Sequence, residues 1–93
     1  MIEVQGSDGE SLVFDGTSIA KYRHFGKQEA ARNLARTFRD AQVTPRKRKK
    51  KDPEQRYDVL LACGAFFSLT ITEAQLPEVE QLVAALRAAS AAG

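Results

Sequence analysis

The stretch Phe66–Thr72, FFSLTIT, places the tightest constraint on the fold. Phe67, Leu69 and Ile71 alternate with Ser68, Thr70 and Thr72. Successive side chains leave a strand on opposite sides, so this pattern demands a sheet with one buried face. A partner lies just upstream: Tyr57, Val59, Leu61 and Cys63 share one face, Asp58, Leu60 and Ala62 the other. Cys63-Gly64 or Gly64-Ala65 supplies the tight turn of a hairpin. Phe66 points opposite to Phe67, as a core residue of a second face or as an exposed stacking or docking residue.

The first 23 residues read as a three-strand meander. Ile2 and Val4 alternate with Glu3 and Gln5, and Gly6-Ser7-Asp8-Gly9 has turn chemistry. Asp15-Gly16, following Ser11-Leu12-Val13-Phe14, is a two-residue hairpin signal. It predicts Phe14 across from Thr17, Leu12 from Ile19 and Glu10 from Lys21, the last an opposite-charge pair. After Gly26 the period changes. Ala31, Leu34, Ala35 and Phe38 fall at i, i+3, i+4 and i+7, which predicts an amphipathic helix from about Lys27 to Ala41, stopped short of Pro45. Arg32, Arg36 and Arg39 would line an adjoining face of that helix.

A last helix is expected from Pro77, where the missing N–H is harmless, with Val79, Leu82, Val83 and Leu86 inward and Glu78 and Glu80 near its positive end. Thr72 and Gln75 have capping-box spacing, but Pro77 would then fall at the fifth helical position, so 73–76 reads as a turn. Ninety-three residues supply one core and not two. The order β-β-β-α-β-β-α predicts a small α+β domain over residues 1–90, with a basic loop at 43–55 and a frayed tail at 91–93. In it an antiparallel sheet of about five strands carries two helices on one face. The other face, bearing Ser68, Thr70, Val13 and Tyr22, would be open to solvent or a partner.

Chemistry-bearing motifs are scarce. Cys63 is the single cysteine, so no internal disulfide forms, and MIEVQGSDGE has no apolar run of the signal-peptide kind. The longest apolar stretch, Val59 to Phe67, is broken by Gly64 and too short for a bilayer. An intracellular, cytoplasmic protein is expected, or a nuclear one in a eukaryotic host, because Arg46–Lys51 has the composition of an import signal. His24, the only histidine, has no companions at metal-ligand spacing, and Cys63 lies among apolar residues where thiols serve as packing. A Cys63–His24 nucleophile pair could arise only through folding. Asp8, Asp15, Asp52 and Glu54 sit at turns and loop edges, where carboxylates bond the local backbone. Gly6-Ser7-Asp8-Gly9 lacks the spacing and lysine of a phosphate-cradling loop. The expectation is a non-enzymatic protein without metal or cofactor.

Charge is the informative quantity. Residues 21–51 carry twelve basic residues against two acids, a local net of +10, while the rest of the chain is net −8. TPRKRKKKDPEQ (44–55) packs six consecutive cations, Arg46, Lys47, Arg48, Lys49, Lys50 and Lys51, between Pro45 and Pro53. Such a run is a solvated loop unless an anion gathers it. Joined to Lys27, Arg32, Arg36 and Arg39 on the expected helix, it would form one continuous cationic surface, the footprint of a nucleic-acid (DNA or RNA) binder. Tyr22, Phe25 and Tyr57 would be stacking platforms. The alternative is a protein–protein module, or a small inhibitor of the phage-encoded kind, docking an acidic protein surface; no membrane is involved, and a homodimer is compatible.

GSDGESLVFDG (6–16) with FFSLTITEAQLPEVEQLVAAL (66–86) resembles the first hairpin and last helix of bacterial pleckstrin-homology-like domains, although Lys27 to Ala41 reads as helix where those domains run strands. FGKQEAARNLARTF (25–38), a helix after a three-strand meander, is similar to the small arm-binding DNA domains of integrases. Neither resemblance transfers a functional residue.

Overall fold

Phe67, Leu69 and Ile71 do turn inward, beside Val59, Leu61 and Cys63. The rest of the chain covers that double row. The computed structural model describes residues 1–47, 51 and 54–92. Its strands are β1 (Ile2–Gln5), β2 (Ser11–Phe14), β3 (Ser18–Arg23), β4 (Gln28–Leu34), β5 (Phe38–Pro45), β6 (Arg56–Cys63) and β7 (Phe66–Thr72), followed by the helix α1 (Leu76–Ala92). Two antiparallel sheets result, in the orders β1-β2-β3-β4 and β5-β6-β7. Val4, Leu12, Phe14 and Ile19 meet the β6 and β7 rows in one core, and α1 adds Val79, Leu82 and Leu86.

The α+β class and the antiparallel pairing are as expected, but the sheet of five strands under two helices is not. The helix expected over Lys27–Ala41 is absent: those residues form β4, a short 3-10 turn at Ala35–Thr37 and the first half of β5. Only Ala35 and Phe38 of the apolar stripe are buried, whereas Ala31 and Leu34 are exposed. A 3-10 turn has three residues per turn, so Ala35 and Phe38 share a face there without any α-helix. Pairing decides the rest, since without β4 the outer edge of β3 would leave its backbone groups without partners. Helix propensity of Ala and Arg is too small to resist that. The helix that carried the likeness to arm-binding domains is therefore absent.

Two local details also differ. Phe14 lies across from Ile19 and Leu12 from Lys21, a register two residues away from the one Asp15-Gly16 alone predicts. Asp15 is the cause: its Oδ1 accepts the backbone N–H groups of Thr17 (2.9 Å) and Ser18 (2.8 Å), widening the turn to four residues. A slip of two preserves every residue's face, so the core is unaffected. At the other end of the chain the capping box and Pro77 coexist. Thr72 and Gln75 cap a 3-10 turn at Glu73–Gln75, and the Leu76 N–H takes the Glu73 carbonyl. That carbonyl is the one an α-helical residue 77 would have needed, so a proline there breaks nothing. α1 takes in Ala91 and Ala92.

Leu82 is fully buried where α1 meets both sheets. Leu82→Ala is expected to lower unfolding free energy by about 2–5 kcal/mol, read as a reduced midpoint in urea with an unchanged slope.

Candidate nucleic-acid interface

In a meander, alternate turns fall at the same end. The β1–β2 and β3–β4 connections therefore lie side by side, and the Phe25 N–H donates to the Gly9 carbonyl at 2.9 Å. The β5–β6 ribbon reaches the same end, where Arg56 Nη1 donates to Ser7 Oγ at 2.7 Å and the Arg46 N–H to the Arg56 carbonyl at 2.8 Å. Residues 6–10 are thus flanked by both basic turns. Arg23 and Lys27 come from one, Arg46, Lys47 and Lys51 from the other, and all are exposed.

The β3–β4 turn is built to present a side chain. His24 (φ 53°), Phe25 (φ 55°) and Gly26 (φ 86°) are all left-handed. For the two non-glycine residues this costs about 1–2 kcal/mol each. The Lys27 N–H to the His24 carbonyl and the Phe25–Gly9 bond hold the turn against that cost. Phe25 is left 86% exposed among Arg23, His24 and Lys27. Tyr22 instead bonds Glu29 and Arg32, and Tyr57 points inward across from Ile71.

The arginines of the expected helix go elsewhere. Arg32, on β4, is enclosed by acceptors: Glu29 Oε1 (2.7 Å), Ser18 Oγ (2.8 Å), Tyr22 Oη (3.0 Å) and Asp15 Oδ2 (3.4 Å). Its hydrogen bond to Glu29, first among the causes, raises its pKa further. The backbone N–H groups of Ser18 and Thr17, ahead of the Ser18 hydroxyl and Arg32, push the Asp15 carboxyl down to about 2. Arg36 and Arg39 lie at the opposite end of the molecule. Arg39 is seven residues along β5 from Arg46, about 23 Å at the rise of an antiparallel strand. Arg36 and Arg39 therefore share no surface with Arg46, Lys47 and Lys51, the described basic residues of the 45–51 connection, and Arg32 is occupied within the fold. The turn that carries Lys27 stands at the same end as that connection.

Some charge at the turn end is compensated. Glu10 pairs with Lys21 (3.3 Å) and Arg23 (3.4 Å), and Arg46 Nε with Asp58 (3.1 Å). Lys27, Lys47 and Lys51 have no ion-pair partner among the described residues. Arg48, Lys49 and Lys50, also candidates from the sequence, lie outside the described residues. Phe25, expected as a stacking platform, stands at this end beside Arg23, which was not among the candidate residues. The grouping of the two on a tight turn follows only once residues 28–34 are known to be a strand.

Cys63 is fully buried at the far end of β6, and burial pushes its thiol up to about 11. His24 stands on the turn end, so the two do not form a nucleophile pair. Among the described residues no cluster of three or more His, Cys, Asp or Glu is placed to hold a metal, and no helix is long and apolar enough to cross a membrane. No protein-family model, curated protein or solved structure matches the chain.

The depressed Asp15 carboxyl has a pH consequence. Its stabilising contribution is present above the unfolded value near 3.8 and is lost as pH falls towards about 2. In thermal melts the advantage of the wild type over Asp15→Asn should be full above that window and shrink through it.

Proposed function

We propose that this chain is a non-enzymatic binding protein whose turn end contacts a polyanion, most readily nucleic acid, through the 45–51 connection and the neighbouring β3–β4 turn. The reading rests on two tethers to residues 6–10, the Phe25 N–H on the Gly9 carbonyl and Arg56 on Ser7, which put the turn carrying Lys27 and the connection carrying Lys47 and Lys51 at the same end of the molecule although they are distant in sequence. Cations of this kind contact phosphates and give affinity without base discrimination. Phe25 adds a flat apolar surface among them, suited to an unpaired base, and so favours single strands.

Binding of a random single strand, followed by fluorescence anisotropy, should weaken steeply with salt. Six phosphate contacts give a log–log slope of about −4 on single strands and about −5 on duplex. Replacing Arg46–Lys51 by serine should abolish binding, and Phe25→Ala should reduce it on single strands alone. Arg32→Ala should leave it unchanged, because that guanidinium is occupied within the fold. Undiminished binding by the serine variant would remove the turn end from consideration.

A second reading, a protein–protein module, has its own observation. On the outer face of the β5-β6-β7 sheet Phe66 is 76% exposed and Leu60 half-exposed, flanking Ala62 and the polar Ser68 and Thr70. A protein retained from nuclease-treated lysate and lost with Phe66→Asp would favour this face. Retention that vanishes with nuclease alone would return the preference to nucleic acid.

A further inference from the structure

The end of the molecule away from the basic turns holds a second cationic feature. A depression of about 560 Å³ is lined by Arg36, Thr37, Phe38, Arg39, Gly64 and Ser90. We infer that it is a binding site for a compact phosphate group carried on a small molecule, gripped by Arg36 and Arg39.

Three observations support this. First, neither guanidinium has an ion-pair or side-chain hydrogen-bond partner among the described residues, although five ion pairs occur elsewhere in them. The nearest acid in sequence, Asp40, does not supply one: its Oδ1 accepts the Ala41 N–H at 2.8 Å, and the residue lies across from Ala62 on the outer sheet face. Second, the β5–β6 ladder slips at this point. Phe38 pairs with Cys63 and Asp40 with Ala62, so Arg39 is the extra residue of a bulge. Bulges turn a side chain out of the regular alternation, and here Arg39 joins Arg36 on the wall of the same depression.

Third, the remaining wall is fixed and small. Ser90 Oγ donates to the Phe38 carbonyl (3.0 Å), Thr37 Oγ1 to the Leu34 carbonyl (2.6 Å) and Asn33 Nδ2 to the Cys63 carbonyl (2.8 Å), tying α1, the 3-10 turn, β4 and the β6–β7 turn together. Gly64, at φ 73°, leaves little room for a Cβ, which would fall 3.1 Å from Asn33 Nδ2 and 3.3 Å from Thr37 Oγ1. Two planar guanidinium forks on a rigid floor match the oxygens of a phosphate better than those of a single carboxylate. The volume exceeds what one inorganic phosphate needs and falls within the range of small-molecule pockets. A phosphate monoester, with its organic part lying along the floor, is the ligand class that fits.

The test is an NMR titration of the full chain with inorganic phosphate and, separately, uridine monophosphate. Saturable shifts should centre on the amides of Arg36, Thr37, Arg39 and Gly64, with the ester binding more tightly than phosphate. Arg39→Gln should weaken it roughly tenfold, and Arg39→Lys should recover only part of the loss. Serine replacement of Arg46–Lys51 should leave this titration unchanged, which separates it from the turn-end reading. Two outcomes would overturn the site. One is a titration whose only shifts are at Lys27, Lys47 and Lys51. The other is an absence of saturable binding while Arg36→Gln and Arg39→Gln lower the melting temperature, which would assign the pair to the carbonyls at the end of α1.

Discussion

Burial of the inward rows of β6 and β7 is the interaction on which this fold depends. Val59, Leu61 and Cys63 are buried and alternate with neighbours that are not, as do Phe67, Leu69 and Ile71. Together they make an apolar face that a two-stranded ribbon cannot shield alone. The first sheet brings Leu12 and Ile19 to it, and α1 brings Leu82 and Leu86. Once those surfaces are pressed together, the remaining freedom lies in the turns. Nearly all the chemistry that distinguishes this molecule from any other small sandwich is found there.

Charge follows from that arrangement more than from the sequence order of the cations. Strand number decides which turns are neighbours. With residues 28–34 as a strand, the β3–β4 turn exists at all and falls beside residues 6–10. The basic stretch is thereby divided in three. Lys27, Lys47 and Lys51 stand at one end, Arg36 and Arg39 at the other, and Arg32 is spent within the fold on Asp15, Glu29, Ser18 and Tyr22. Lys21 shows the same economy: nearly buried, it reaches Glu10 and Ser68 where the two sheets meet.

Legibility tracked how directly burial writes itself into the sequence. Strands at 2–5, 11–14, 57–63 and 66–72, and the closing helix, were readable because a one-sided environment imposes its own period. Residues 27–41 were not. Ala30, Ala31 and Arg32 are exposed, so no burial pattern marks β4 as a strand, and the three-residue turn at Ala35–Thr37 imitates helical spacing. That one misreading also hid the grouping of the site, because a helix there would have carried Arg32, Arg36 and Arg39 on one face. The basic run itself was plain. Its neighbours were not, since proximity across a fold is a property of topology.

The β5–β6 ribbon carries a final implication. Its ladder extends to Pro45 and Tyr57 and is closed by Arg46 and Arg56, while Thr44, Pro45, Arg46 and Lys47 are all exposed. Nothing in the packed interior rests on the side chains at 46 and 47. Lengthening such a connection costs little, because closure entropy grows only logarithmically with loop length. Natural variation is therefore free to rewrite the number and sign of charges at this tip while the hydrophobic scaffold goes on folding unaltered.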